Sequence, residues 1–338
     1  MQKDQIVITN AIVHILETDV GMPVLSEYLL ERHEELNDLL RAHIYKVATG
    51  DDLKTCVFRD DEGSEMYELL KNFREDDLIG FSKAAATRLY DIMRANPSIP
   101  SADFCVVTFK SEGRSYLALL KLNYKDSFIH MTRNTDEGSN YIGIIMQNAT
   151  LPASGSKLTE AVIIDLEDLT IRIAEKKYEV NGVNTNYLSE IYLKCYAKMS
   201  QRTRMKIVEK ALDQINNKYF EDDIEKQLET KAVIENQIRE EGAILPATIG
   251  EKLYDEYPTA KEEFKQKLEK YNMATEEVRP QNEVTVRKYH KQYIRTDTGI
   301  EINIPMDEYN NNDSVEFITN PDGTISIVIR NIGRLMTK

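Results

Sequence analysis

The chain has 338 residues, 41% of them hydrophobic and 30% charged, with a formal net charge of −14. That length suits two domains, or one large domain with an appendage, and the composition is that of a soluble globular protein. The acidity excludes a uniformly basic nucleic-acid binder, and no run approaches the roughly 18 apolar residues that a membrane span needs.

Charge is unevenly spread. Residues 1–100 hold 11 Lys and Arg against 19 Asp and Glu, whereas residues 201–218 hold 5 against 2. Any basic surface is therefore local. The three cysteines, Cys56, Cys105 and Cys195, are far apart and sit in apolar surroundings. They read as free thiols of a reducing cytosol, without the paired spacing of a zinc site.

The N-terminal QIVITNAIVHIL (5–16) reads as a strand with a bulge at Asn10 and not as a signal peptide. Leu29, Leu36, Leu39, Leu40, Ile44 and Val47 follow at helical spacing over 29–49, with Gly50 as a stop. The acidic DDEGSE (60–65) reads as a loop entering a helix that runs to Phe73. LIGFSKAAATRLYDIM (78–93) reads as a closely packed helix capped by Asp76 or Asp77, because alanines let a neighbouring backbone approach. DFCVVTFK and SYLALLKLNY, separated by SEGR (111–114), predict a hairpin, and further strands are expected near 127–132, 141–147, 158–165 and 169–174.

Residues 187–217 are expected to be helical, with Ser200 restarting the helix as an N-cap. Helices are expected at 221–241, around Ile249 and Leu253, and after Tyr257-Pro258, where Ala260, Phe264, Leu268 and Tyr271 align. Residues 284–330 return to strands, with turns at TDTG (296–299) and NPDG (320–323). The fold class is α+β, mainly antiparallel, with an N-terminal domain over 1–218 and a C-terminal one over 219–338 that is helical to 272 and β-rich thereafter.

FSKAAATRLYD, followed by the ADFCVVTF–SEGR–SYLALLKL hairpin and closed by IRTDTGIEINIP and FITNPDGTISIVIRNI, resembles the bacterial 37-kilodalton nucleoid-associated protein family. Phe81, Ser82, Lys83 and Arg88 carry the sharpest part of the match, and the mass of 38.9 kDa agrees. The resemblance implies a nucleoid-associated protein with no agreed catalytic activity; the chain also shows no phosphate-loop, His-Glu-x-x-His or G-x-S-x-G motif, so a non-enzymatic protein without cofactor or metal is expected, in the cytoplasm and nucleoid. Its partners would be DNA or DNA-bound nucleoid proteins, and a homo-oligomer is compatible with it.

Two stretches carry basic side chains in a pattern suited to a polyanion. On one continuous helix Lys194, Lys198, Arg202, Lys206 and Lys210 would form a row, with Arg204 beside it. On a strand Arg287, Tyr289, Lys291, Tyr293 and Arg295 would share one face, mixing cations with rings on which bases stack. An ordinary solvated helix face and a lysine-guarded edge strand explain the same patterns. The alternative is an acidic adaptor or DNA mimic, with residues 51–77 and 221–241 facing basic partners. Asp165, Glu175 and Lys177 would suit a metal-dependent nuclease if they met, although Asp165 reads first as a turn residue.

Overall fold

The computed structural model describes residues 1–59, 63–134, 140–221, 223–311, 313–334 and 336; the acidic residues expected to form a loop at 60–62 lie outside it. The chain forms two compact units, Met1–Met199 and Ser200–Lys338.

The first unit opens with β1 (Val7–Leu16), β2 (Val24–Leu25), α1 (Glu34–Ala48), β3 (Lys54–Phe58), α2 (Glu65–Lys71) and α3 (Leu78–Ala95). Then come β4 (Ala102–Ser111), β5 (Arg114–Asn123), β6 (Lys125–Asn134), β7 (Asn140–Thr150), β8 (Ala161–Asp165) and β9 (Ile171–Ala174). Short strands β10 (Tyr178–Val180), β11 (Val183–Thr185) and β12 (Cys195–Ala197) finish the unit. Eight strands make one antiparallel sheet in the order β12-β3-β9-β8-β5-β4-β1-β2. The expected α+β class is what the structure shows.

Side chains alternate across the sheet, so each face has its own core. Leu117, Leu119, Val106 and Ile164 point to one face and meet Phe81, Ala85, Ala86 and Leu89 of α3. Val107, Ala118, Leu120 and Ile163 point to the other and meet Leu40, Ile44 and Val47 of α1. The central strand β5 is accordingly buried for seven consecutive residues, from Tyr116 to Leu122. The β4–β5 turn is tight because Glu112 (φ 52°) and Gly113 (φ 80°) both take left-handed backbone. In β1 the extra residue is Thr9, between Ile8 and Asn10, one position before the expected bulge. Helix α1 starts at Glu34 and not near Leu29, because the His33 ring accepts the amide of Leu36 (3.3 Å) and caps it there.

The second unit contains α4 (Gln201–Tyr219), α5 (Ile224–Glu241), α6 (Pro246–Tyr254), α7 (Pro258–Glu269) and α8 (Glu283–Arg287). It ends with β13 (Lys291–Arg295), β14 (Glu301–Pro305), α9 (Met306–Tyr309), β15 (Val315–Thr319) and β16 (Ile325–Ile329). Met205, Val208, Leu212 and Ile215 of α4 share a core with Ile234, Ile249, Tyr254, Phe264 and Leu268. Tyr271 falls beyond the end of α7 and is exposed, so it does not extend that row. The second unit's strands form two separate hairpins, β13–β14 and β15–β16, the latter closed by NPDG with Gly323 at φ 82°.

Candidate functional site

The family-like box on α3 is a packing device. Asp77 caps the helix by accepting the amide of Gly80, and a side chain at Gly80 would collide with that carboxylate at 2.5 Å. Phe81 meets Phe73 edge-on at 4.9 Å. Ser82 is fully buried and faces His14 Nε2 at 3.0 Å. Lys83 pairs with Glu27 (2.9 Å). Arg88 donates to the carbonyls of Ile191 and Tyr192, both at 3.1 Å, and pairs with Glu65. Tyr192 in turn donates to the carbonyl of Ala85 (3.0 Å). Outside this contact, Gly80, Ala84 and Arg88 line a groove of about 810 Å³ against Leu69 and Phe73, with Glu65, Glu68 and Asp77 at its margin. Arg74 lines it as well, but with Arg88 engaged this cation stands beside Glu65, Glu68 and Asp77, and the groove does not suit a polyanion.

The single helix expected over 187–217 does not exist. Leu188–Tyr192 forms one wide helical turn, Lys194 takes left-handed backbone (φ 52°), and Cys195–Ala197 pairs as β12 with β3. Helix α4 begins only after Ser200, whose hydroxyl accepts the amide of Thr203 as expected of its cap. Lys194 and Lys198 therefore belong to the first unit and leave the row. Edge pairing outweighed helix propensity here, and the turn before it needed a left-handed residue.

What survives is Arg202, Lys206 and Lys210, exposed on α4 at four-residue steps opposite its apolar face. They span about 12 Å of helix. None has an acidic partner among the described residues, in a chain where most neighbouring cations do. Arg204 is turned inward and pairs with Glu276 (2.8 Å).

The expected basic, aromatic strand is also divided. Glu283–Arg287 is the short helix α8, capped by Asn282, whose side chain accepts the amide of Val284 (2.8 Å). Arg287 pairs along that helix with Glu283 (3.0 Å). Tyr289 is buried against α4 and donates its hydroxyl to Glu209, and burial pushes that phenol up beyond the usual tyrosine range. Only Lys291, Tyr293 and Arg295 share the exposed face of β13. Tyr293 is 65% exposed, and Lys231 Nζ lies 5.2 Å from its ring centre. Lys231 comes from α5, and no pattern within 284–295 could have disclosed it.

A cleft of about 540 Å³ joins these parts, lined by Glu209 and Asp213 of α4, Lys231 of α5, and Lys288, Tyr289 and Tyr293. Lys288 pairs with Glu209 (2.6 Å). Burial, with Glu209 nearby, pushes the Asp213 carboxyl up.

Asp165 and Glu175 stand at opposite ends of the β8–β9 hairpin, where Ala161 pairs with Ala174 and Ile164 with Ile171. Glu175 falls opposite Glu160, five residue steps from Asp165, about 16 Å. Asp165 pairs with Arg114 (3.0 Å) and accepts the amide of Glu167 in the turn. Glu175 pairs with Lys54 and accepts from Ser189. The three residues do not form a metal site, and no cluster of ligand side chains suited to a metal occurs among the described residues. No helix among them is long and apolar enough to cross a membrane.

No curated protein matches the chain significantly. A family model described as nucleoid-associated protein YejK matches residues 12–337, nearly from the first strand to the last residue. On that match and on the α3 box it contains, the chain belongs to this family of nucleoid-associated proteins.

Proposed function

We propose that the second unit binds the DNA backbone directly, through Arg202, Lys206 and Lys210 on α4. Lys291, Tyr293 and Arg295 on β13 make a second contact. The observation that carries this reading is the α4 row: three exposed cations without acidic partners among the described residues, in a chain of net charge −14. Such a row neutralises phosphates without reading sequence, which suits association with chromosomal DNA at many sites. The work is binding, without a chemical step, cofactor or metal, in the cytoplasmic nucleoid.

The test is a salt titration of duplex binding by the intact chain. Each phosphate neutralised contributes about 0.9 to the slope of log affinity against log salt. Replacing Arg202, Lys206 and Lys210 together by glutamine is expected to weaken binding and flatten that slope by nearly 3. Unchanged affinity and slope in the folded triple variant would assign the contact elsewhere. A wild-type chain that binds no duplex until another nucleoid protein is added would favour the adaptor reading.

A further inference from the structure

The hairpin β6–β7 is a sheet separate from the eight-stranded one, and among the described residues its two strands pair only with each other. At its base Lys125 Nζ donates to Ser156 Oγ (3.1 Å). A lone two-stranded hairpin is marginal in water, and this one leaves large apolar side chains uncovered. Phe128 pairs across the strands with Met146, His130 with Ile144 and Thr132 with Ile142, so these six side chains share one face. Phe128, Ile142, Ile144 and Met146 are between 54% and 76% exposed.

We propose that this face is the contact between two copies of the chain, packed hairpin on hairpin about a twofold axis. At these exposures the four apolar side chains present on the order of 500 Å², taking roughly 150–250 Å² for a large aromatic side chain and somewhat less for the aliphatic ones. That lies in the upper part of the range for the largest apolar patch of a monomer, about 300–600 Å². Two copies would bury about 1,000 Å² between them, the lower bound for a specific interface.

Charge selects the occupant. These six side chains include no Asp, Glu, Lys or Arg, and β7 (NYIGIIMQNAT) has no charged residue along its whole length, while the exposed Asp126 stands at the margin, two residues before Phe128. Two chains of net charge −14 repel each other over most of their surface, and the six side chains bring no carboxylate to the centre of the contact. Phosphate and anionic lipid find no Lys or Arg among these six side chains. A twofold contact also requires one patch to complement itself, which a row of mainly apolar side chains does.

Sedimentation velocity of the intact chain at micromolar concentration tests this. A dimer is expected for the wild type and for Ile144→Val, and a monomer with an unchanged circular-dichroism spectrum for Ile144→Lys. A monomeric wild type, or a dimer undiminished in a folded Ile144→Lys chain, would overturn the proposal. Should Ile144→Lys fail to fold, Ile144→Cys with a bifunctional maleimide of about 10 Å reach, the spacing of packed sheets, decides instead. The three native thiols are buried, so a crosslinked dimer supports the contact and an uncrosslinked chain refutes it.

Discussion

His14 and Ser82 join β1 to α3 by a hydrogen bond of 3.0 Å inside the core. The amide of Ser26 donates to His14 Nδ1 (3.1 Å), so the ring proton sits on Nε2 and is given to Ser82 Oγ. The serine hydroxyl passes its own proton to the carbonyl of Ile79 (2.9 Å). Both ring nitrogens are thus satisfied by a neutral imidazole. Burial first, and Lys83 second, push the His14 pKa down from 6.5 to about 4.

A depressed histidine makes the first unit acid-sensitive. Its stabilisation is fully present above pH 6.5 and is lost as pH falls toward 4, because the unfolded chain takes up the proton first. By pH 5 the loss amounts to about 2 kcal/mol, at roughly 1.4 kcal/mol per pH unit. Melting of His14→Gln between pH 7 and pH 5 should depend less on pH than that of the wild type; equal dependence would place the sensitivity elsewhere.

Arg88 reaches two backbone carbonyls and one carboxylate with a single planar group. Arg88→Ala should cost about 2–4 kcal/mol, since hydrogen bonds to a charged group are worth roughly 1.5–3 kcal/mol. Arg88→Lys should recover less than half of that, because an ammonium lacks the fork. Thermal denaturation of both variants measures the difference, and full recovery by lysine would reduce the role of Arg88 to its charge.

Tyr289 and Tyr293 are expected to part company on substitution. Truncating buried Tyr289 to alanine should destabilise the second unit by about 3–5 kcal/mol. Tyr293→Ala, at an exposed ring, should change stability by no more than about 0.5 kcal/mol. The same Tyr293 variant should weaken single-stranded DNA binding, as stacking is worth roughly 1–3 kcal/mol per base. Calorimetry paired with a binding titration reads both effects, and unaltered binding would remove β13 from the contact.

Glu160 is fully buried and accepts from Lys121 (3.2 Å), Asn123 (2.7 Å), Tyr178 (2.9 Å) and Tyr187. Burial pulls the Lys121 ammonium down, although Glu160 opposes that shift. Glu160→Leu alone should cost about 3–5 kcal/mol by stranding a buried cation. Adding Lys121→Met should restore much of the loss, because a buried pair exchanged whole for apolar residues is often neutral. A double variant as unstable as the single one would show that the tyrosine hydroxyls, and not the ammonium, set the cost.

Local chemistry was legible where one segment decides its own shape. SEGR announced the β4–β5 turn, NPDG announced the β15–β16 turn, and Ser200 announced the start of α4. It was not legible where a distant segment decides. Lys194–Ala197 reads as helix until β3 offers an edge to pair with, and Thr285–Arg287 reads as strand until Asn282 caps a helix turn. The basic row was visible as a pattern, but only packing separates Arg202, Lys206 and Lys210 from Arg204, which turns to Glu276. The strands β6 and β7 were legible as well, and their lack of a neighbour was not.

The eight-stranded sheet ends in β2, two residues long, and β12, three residues long. So short an edge offers another chain too few free amides and carbonyls to template a ninth strand. Beyond the two residues that β2 covers, the carbonyl of Ala11 in β1 accepts the amide of Leu30 (2.8 Å) and that of Ile8 accepts from Arg32 (2.9 Å), so this margin offers little to another strand. Copies of the chain held at high local concentration can crowd together without seeding fibres from this sheet.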